Sequence, residues 1–150
     1  MANVSSKTEI EKLIVGFLAA KTEAIFAYVF GSFVQRDHYH DIDVAAYLKD
    51  DFNKENVKRF PYGYESSLIS ELSLLTRKNI DFVVMNKAGI LMQQRVINKG
   101  ILLFSKDERF RIRYENNIRK LYIDTQHLRN IQRYYLTKKI DELTKSISND

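Results

Sequence analysis

Three aspartates are the residues in this sequence best able to do chemistry. Asp41 and Asp43 are separated by one residue within DIDVAAYL, and Asp81 lies in the later segment IDFVVM. On a strand, residues i and i+2 project from one face about 7 Å apart, so Asp41 and Asp43 can share one or two cations. A third carboxylate from a neighbouring strand would complete an oxygen-rich site of the kind that Mg²⁺ prefers. The three aspartates therefore predict a magnesium site.

A glycine-serine pair follows directly after the first apolar run of the chain. Gly31 and Ser32 come after AIFAYVF (residues 24–30), whose aromatic and branched residues predict a buried strand. Glycine after a strand lets the backbone approach a ligand closely, and amides that open a following helix can donate to phosphate oxygens. Because the Ser32 hydroxyl lies at the same place, this turn is a candidate phosphate-binding site.

Each of these motifs also has a simpler explanation when it is taken alone. A glycine-serine pair after a strand is usually just a turn, and an isolated Asp-x-Asp is usually a strand edge or a cap. Asp81 follows Lys78 and Asn79, and the start of a strand explains it equally well. The combination favours chemistry, because three buried like charges are costly without a counter-ion.

Charged side chains just before and at the start of the second predicted strand leave two explanations open. Arg36 could offset negative charge on a phosphate leaving group, or it could form a surface salt bridge with Asp37 or Asp41. His38 and His40 flank the motif, and an exposed loop position explains them better than contact with a nucleotide.

The hydrophobic pattern predicts the elements that position these residues. Apolar spacing of three and four residues predicts helices, and short branched or alternating runs predict strands. The predicted strands cover residues 24–30, 41–48, 80–85 and a run from Ile101; the predicted helices cover residues 8–21, 68–78, 88–98 and about 106–147, with a loop at 49–63. This order predicts an α/β (α+β) fold: a small mixed β-sheet of about four to five strands, flanked by helices and followed by a long C-terminal helical extension.

Composition limits the class of protein and the kind of site. The chain has 150 residues, 45% hydrophobic and 29% charged, which fits one globular core. The absence of cysteine excludes disulfides and thiolate metal sites, so hard cations with oxygen ligands are the natural candidates. Neither a signal peptide nor an apolar run of about 18 residues is present, so the sequence predicts a cytoplasmic protein without a membrane partner.

The net charge of +5 is concentrated in the C-terminal part of the chain. Residues 106–145 contain 11 Lys and Arg against 6 Asp and Glu, which accounts for the whole excess. A solvated helix face explains this pattern better than a dedicated surface for RNA or DNA. A nucleic-acid partner is therefore not expected.

Taken together, these motifs resemble the nucleotidyltransferase superfamily related to DNA polymerase beta and, within it, the small MNT (minimal nucleotidyltransferase) domains. The residues that carry the resemblance are Gly31, Ser32, Phe33, Arg36, Asp41, Asp43 and Asp81. Family members commonly have Gly-Ser-(Phe/Tyr)-Ala-Arg-Gly followed by Ser-Asp-(Ile/Leu/Val)-Asp. Here Phe33 and Arg36 sit near those positions, but Asp37 stands where glycine is frequent and His40 where serine is frequent, which leaves the two-aspartate core intact.

The resemblance implies a mechanism and a role for each motif residue. Asp41 and Asp43 would hold two Mg²⁺ ions, and Asp81 would bind the second ion and act as general base for the attacking hydroxyl. ATP would be the substrate; Gly31 and Ser32 would hold its β and γ phosphates and Arg36 would face the pyrophosphate. The predicted nucleotidyltransferase domain covers residues 1–105, and the C-terminal helical extension covers residues 106–150.

The resemblance also implies a biological role, for which three alternatives are open. The first is an antitoxin of the MNT kind, which transfers AMP from ATP to a tyrosine of a HEPN-domain ribonuclease toxin. The second is a binding module that neutralises such a toxin without catalysis. The third is a small-molecule or antibiotic nucleotidyltransferase, although those enzymes usually carry a substrate domain for which this chain has little room. Retention of all three acids favours an enzyme.

The C-terminal extension is predicted to be one helix whose apolar stripes dock a partner. Without proline or glycine, nothing in its sequence predicts an interruption. One stripe consists of Tyr114, Ile118, Leu121, Leu128, Ile131 and Tyr135, and a second consists of Leu136, Ile140, Leu143 and Ile147. Packing on the sheet explains the part before Leu128 equally well. Beyond Leu128 the stripes favour an interface with the HEPN toxin or with a second copy in a homo-oligomer.

Overall fold

A four-stranded mixed β-sheet forms the centre of the protein in a computed structural model, which describes residues 6–149. The strands are β1 (Ala24–Phe30), β2 (Asp41–Leu48), β3 (Asn79–Val84) and β4 (Ile101–Ser105). The helices are α1 (Lys7–Ala19), α2 (Ser32–Gln35), α3 (Tyr64–Thr76), α4 (Ile90–Lys99), α5 (Glu108–Asp124) and α6 (Gln126–Ser148), and a 3₁₀ turn spans Met85–Lys87. The strand order is β3-β2-β1-β4. The predicted mixed sheet flanked by helices is confirmed.

The strand directions place three chain segments at one end of the sheet. β1 is antiparallel to β2 and to β4, whereas β2 and β3 are parallel. The carboxyl end of β1 therefore lies beside the amino ends of β2 and β3. This end of the sheet is where the predicted phosphate turn and the predicted carboxylates occur.

Each face of the sheet is covered by a different pair of helices. On one face, α1 and α3 bury Ile14, Leu18 and Leu72 against Val44. On the other face, α4 and α5 cover an aromatic cluster in which neighbouring ring centroids lie 5.0 to 6.2 Å apart. Its members are Phe26, Tyr28, Tyr47, Phe110 and Tyr114. Aromatic pairs at this spacing add to the free energy gained by burial, so α5 is an integral part of the packed core.

Local capping explains where the first and fifth helices begin. The Ser6 hydroxyl accepts a hydrogen bond from the Glu9 amide at 3.3 Å and so caps α1. The Asp107 carboxylate likewise accepts from the Phe110 amide at 3.1 Å. Residues 49–63 contain no helix or strand, as predicted for a loop.

The prediction of one uninterrupted C-terminal helix is wrong. The chain forms two helices, α5 and α6, which meet at Thr125. The Thr125 hydroxyl donates to the Leu121 carbonyl at 2.7 Å, and the Arg129 guanidinium donates to the Thr125 hydroxyl and to the Tyr122 carbonyl, each at 2.5 Å. At this junction these side-chain bonds accompany the backbone bond from the Thr125 amide to the Leu121 carbonyl at 3.0 Å. A proline or glycine is therefore not needed for the break.

The two C-terminal helices differ in what covers them. Tyr114 and Ile118 of α5 pack against the aromatic face of the sheet, so this part of the first stripe is intramolecular. α6 has no buried residue over its 23 residues, which span about 35 Å. The apolar side chains exposed beyond the break are Leu128, Ile131, Tyr134, Tyr135, Leu136, Ile140, Leu143 and Ile147. Between residues 6 and 149, no helix is long and apolar enough to cross a membrane.

Candidate functional site

The parallel register of β2 and β3 brings the predicted carboxylates together. Asp43 pairs with Asp81 across these strands and with Phe30 of β1 on its other side. Neighbouring strands lie about 4.8 Å apart, so the Asp43 and Asp81 side chains leave the backbone at adjacent positions. Asp41, two residues before Asp43, projects from the same face. The three aspartates therefore form one cluster at the end of the sheet.

The three carboxyl groups lie close enough for their charges to act on one another. Asp43 is half-buried, whereas Asp41 and Asp81 are exposed. Burial raises the pKa of the Asp43 carboxyl above its ordinary value, the charges of Asp81 and Asp41 raise this pKa further, and Arg95 of α4 lowers it. The cluster thus holds more negative charge than its surroundings compensate, and a cation at this place would relieve the repulsion.

Gly31 fixes the phosphate turn against the same cluster. Its φ is +76°, in the region that favours glycine, and it immediately precedes α2. A Cβ atom at this position would lie 2.1 Å from the Asp43 Oδ2 atom. The Gly31 carbonyl accepts hydrogen bonds from the Val34 and Gln35 amides at 3.1 and 3.2 Å, which close the single turn of α2. The turn and the carboxylate therefore touch directly.

We expect Gly31→Ala to disturb both the phosphate turn and the Asp43 carboxylate. The new methyl group would strain the backbone at positive φ and displace the Asp43 carboxylate. The free energy of unfolding should fall by about 1 to 3 kcal/mol, and any activity that depends on Asp43 should fall with it. Gly16→Ala, at an α1 position with open space around it, is the matched control for thermal melting. Unchanged stability and activity in Gly31→Ala would contradict this description of the turn.

The remaining predicted residues lie in the connection between α2 and β2. Arg36, His38 and His40 are exposed, as predicted for the two histidines. Among the salt bridges of residues 6–149 there is none between Arg36 and Asp37 or Asp41. Within residues 6–149, the guanidinium of Arg36 therefore has no carboxylate partner that would compete with a phosphate.

The donor set of the cluster fits magnesium. Carboxylate oxygens are the ligands that Mg²⁺ prefers, and the pKa of Asp43 is raised first by burial and then by the negative charges of Asp81 and Asp41. In the part of the chain that the structure describes, no three acidic or histidine side chains converge closely enough to hold a metal by themselves. Mg²⁺ sites of this kind usually take one or two carboxylates and complete their coordination with water and substrate phosphates. The arrangement therefore suits a metal that arrives with a nucleotide.

One residue that faces the cluster has no signal in the sequence. Arg95 lies on α4, and its charge acts on Asp43 although 51 residues separate the two positions. Nothing in QQRVINK distinguishes this arginine from an ordinary solvent-exposed helix residue. Only the crossover of α4 between β3 and β4 places it beside the carboxylates.

A cavity elsewhere does not belong to this cluster. A space of about 340 Å³ is lined by residues that include Leu48, Asn86 and Lys87. Leu48 ends β2 and Val84 ends β3, so this cavity lies at the opposite end of the sheet from the aspartates. The candidate site is consequently the open cluster at the sheet end rather than an enclosed pocket.

Comparison with known proteins gives a family and a fold. Residues 12–109 match the family model described as polymerase beta, nucleotidyltransferase. No curated protein sequence matches the chain. A crystal structure of a toxin-antitoxin with AMP-PNP contains a chain 21% identical, with a TM-score of 0.67, over 87% of this chain and 98% of that chain.

Two further solved structures have the same fold. One is the complex of the tri-AMPylated Shewanella oneidensis HEPN toxin with the MNT antitoxin: the matched chain is 20% identical, with a TM-score of 0.67, over 90% of this chain and 99% of that chain. The other is the toxin-antitoxin MntA-HepT, at 19% identity and a TM-score of 0.63, over 87% of this chain and 97% of that chain.

Proposed function

Because the chain belongs to the polymerase beta nucleotidyltransferase family, we propose that it transfers AMP from ATP to a tyrosine hydroxyl of a HEPN-domain toxin and thereby acts as an antitoxin. The observation that carries the proposal is the register that sets Asp43 beside Asp81, with Gly31 against the Asp43 carboxylate. These contacts bring the turn that we propose to bind phosphate next to the carboxylate cluster. Nucleotidyl transfer needs both.

In the proposed reaction, the tyrosine oxygen of the acceptor forms a bond to the α-phosphorus of ATP. The bond between that phosphorus and the oxygen leading to the β-phosphate breaks, and pyrophosphate leaves with the electron pair. The phenolic proton passes to the Asp81 carboxylate, which acts as general base. Ser32 and the backbone at Gly31 would hold the β and γ phosphates, and Arg36 would offset the charge that develops on pyrophosphate.

Two Mg²⁺ ions on Asp41 and Asp43, the second also meeting Asp81, would complete their coordination with phosphate oxygens and water, neutralise the phosphate charge and lower the pKa of the acceptor hydroxyl. The contribution of the chain is to hold the three carboxylates on one face of two paired strands. Since strands are more rigid than loops, the distance between the carboxylates is fixed before substrate arrives.

The choice of acceptor rests on the relatives and on α6. One similar structure contains a HEPN toxin described as tri-AMPylated, and another is described as a complex with AMP-PNP. In this chain, α6 exposes a series of apolar and aromatic side chains. A protein acceptor would cover them, whereas a small-molecule acceptor would not.

Transfer assays with each labelled nucleoside triphosphate, with and without the protein encoded beside this chain, test the proposal. We expect label from ATP on that neighbour when magnesium is present, with loss of its toxicity. Neutralisation of the toxin without any label would instead indicate a non-catalytic binding module. Label on an added small hydroxyl compound alone would indicate a small-molecule nucleotidyltransferase.

Asp81→Ala separates chemistry from binding. If Asp81 is the base, the rate of transfer should fall on the order of 10²- to 10³-fold, while the Kd for ATP rises much less. Rapid-quench assays at saturating ATP, together with calorimetric ATP titration, measure the two effects. Asp51→Asn, an exposed acid at the other end of β2, is the control. Equal loss of transfer and ATP affinity would mark Asp81 as a binding residue instead.

A further inference from the structure

The connection between α2 and β2 joins the two halves of the proposed site. Residues 36–40 run from the end of the phosphate turn to Asp41, the first residue of β2. Since the connection is only five residues long, its conformation sets where Arg36 and the end of α2 lie relative to the carboxylates. Whatever holds this segment therefore also aligns the site.

Lys7 of α1 contacts this connection at both ends. Its ammonium group donates a hydrogen bond to the Arg36 carbonyl at 2.5 Å. The same nitrogen lies 5.4 Å from the ring centroid of Phe33 and 5.6 Å from that of Tyr39. These distances fit cation–π contacts, and a charged donor strengthens the bond to the carbonyl. One side chain thus joins α1, α2 and the connection.

The two aromatic rings complete the arrangement. Phe33 is fully buried, and the ring of the half-buried Tyr39 meets it edge to face, with centroids 4.8 Å apart and an interplanar angle of 86°. Lys78, which directly precedes β3, places a second ammonium group 5.9 Å from the Tyr39 centroid. The Tyr39 ring therefore packs against Phe33 and is contacted by the ammonium groups of Lys7 and Lys78.

The position of Lys7 is unfavourable for α1 itself. A cation in the first turn of a helix opposes the helix dipole, and acidic residues are preferred there. The helix therefore gives no reason for lysine at its first position, whereas the Arg36 carbonyl and the two rings do. This reasoning separates Lys7 from Lys12, an exposed lysine one and a half turns further along α1.

We infer that Lys7 is a positioning residue for the nucleotide site: it fixes residues 36–40 and so aligns Ser32 and Arg36 with Asp41 and Asp43. The inference rests on the proposed function, because it assigns Lys7 a role in binding ATP at that site. Lys7 acts through the connection and does not itself touch the reacting atoms.

Calorimetric titration of the full chain with Mg²⁺ and ATP tests the inference without requiring transfer. Lys7→Met keeps the aliphatic stem and removes the charge, and its affinity for ATP should fall about tenfold relative to wild type. Lys7→Arg keeps a cation and a donor and should restore most of the affinity. Lys12→Met should bind as wild type does, and a matched thermal melt verifies that each variant is folded.

The outcomes distinguish the inference from the proposed function. Wild-type affinity in Lys7→Met, or equal losses in the Met and Arg variants, would overturn the positioning role. If Lys7→Met fails to fold, Tyr39→Leu replaces it, and unchanged affinity there would overturn the role as well. A wild type that binds ATP but transfers nothing would refute the proposed transfer only. A wild type that binds no ATP would refute both.

Discussion

Asp43→Asn should abolish nucleotidyl transfer and, in the absence of magnesium, raise the thermal stability of the protein. The substitution removes a central ligand of the proposed metal site, so the rate should fall on the order of 10³-fold or more. It also removes the carboxylate that burial, Asp81 and Asp41 disfavour. The Asp43 carboxylate is thus both a ligand of the proposed metal site and, when no metal is bound, a source of instability in the folded protein.

The sign of the stability effect follows from the direction of the pKa shift. The pKa of Asp43 is higher in the folded than in the unfolded chain, so the folded state disfavours the ionised form. The penalty is complete above the folded pKa and disappears below the ordinary aspartate value of 3.8. Without magnesium, Asp43→Asn should melt at a higher temperature than wild type at pH 7, and the difference should vanish as the pH falls towards 3.8.

Magnesium should reverse the order of the melting temperatures of wild type and Asp43→Asn. Wild type should gain melting temperature when Mg²⁺ and a non-hydrolysable ATP analogue are added, while Asp43→Asn gains little, since a ligand stabilises only the state that binds it. Asp41→Asn should lose transfer in the same way, and Asp51→Asn, an exposed acid outside the cluster, should retain it. Full transfer in both cluster variants would refute the metal assignment.

Removal of residues 129–150 should leave a folded domain that binds ATP and magnesium but no longer binds its protein partner. α6 contributes no buried residue, so its loss exposes no part of the core. The exposed apolar residues lie beside Arg133, Lys138 and Lys139, and such aromatic and basic anchors suit an acidic protein surface. Co-purification with the toxin, and protection of cells from it, should both be lost.

A second truncation controls for damage at the junction with α5. Arg129 bonds to Thr125 and to the Tyr122 carbonyl and lies 4.1 Å from the centroid of the Tyr122 ring. A chain that ends after Arg129 keeps these contacts and should lose partner binding equally. If either truncation unfolds the protein, or binds the partner undiminished, the docking role of α6 is wrong.

The sequence predicted best what depends on local pattern. Alternation in DIDVAAYL placed Asp41 and Asp43 on one face, and the apolar run before Gly31 marked β1. The pairing of the strands was not predictable from a local pattern. Asp81 lies beside Asp43 only because β3 pairs in parallel with β2 in one particular register. The predicted boundary between a domain of residues 1–105 and an extension of residues 106–150 stays a prediction.

Residues that act across the fold were missed for a related reason. Arg95 and Lys7 look like ordinary exposed helix residues, and their positions near the site come from how α4 and α1 pack. The break at Thr125 was missed because threonine is compatible with a helix by propensity, and no proline or glycine marks a boundary there.

Because the backbone at Gly31 touches the Asp43 carboxylate, the effects of substitutions at these two positions depend on each other. A side chain at position 31 needs the space that the Asp43 carboxylate fills, so each residue limits what the other can be. Their substitutions should therefore be non-additive: Gly31→Ala in an Asp43→Ala background should cost less stability than it does alone, with only the backbone strain at φ +76° remaining. A homologue that changes Gly31 while keeping its fold should thus tend to change Asp43 as well, and glycine at position 31 should persist wherever the acid at position 43 does.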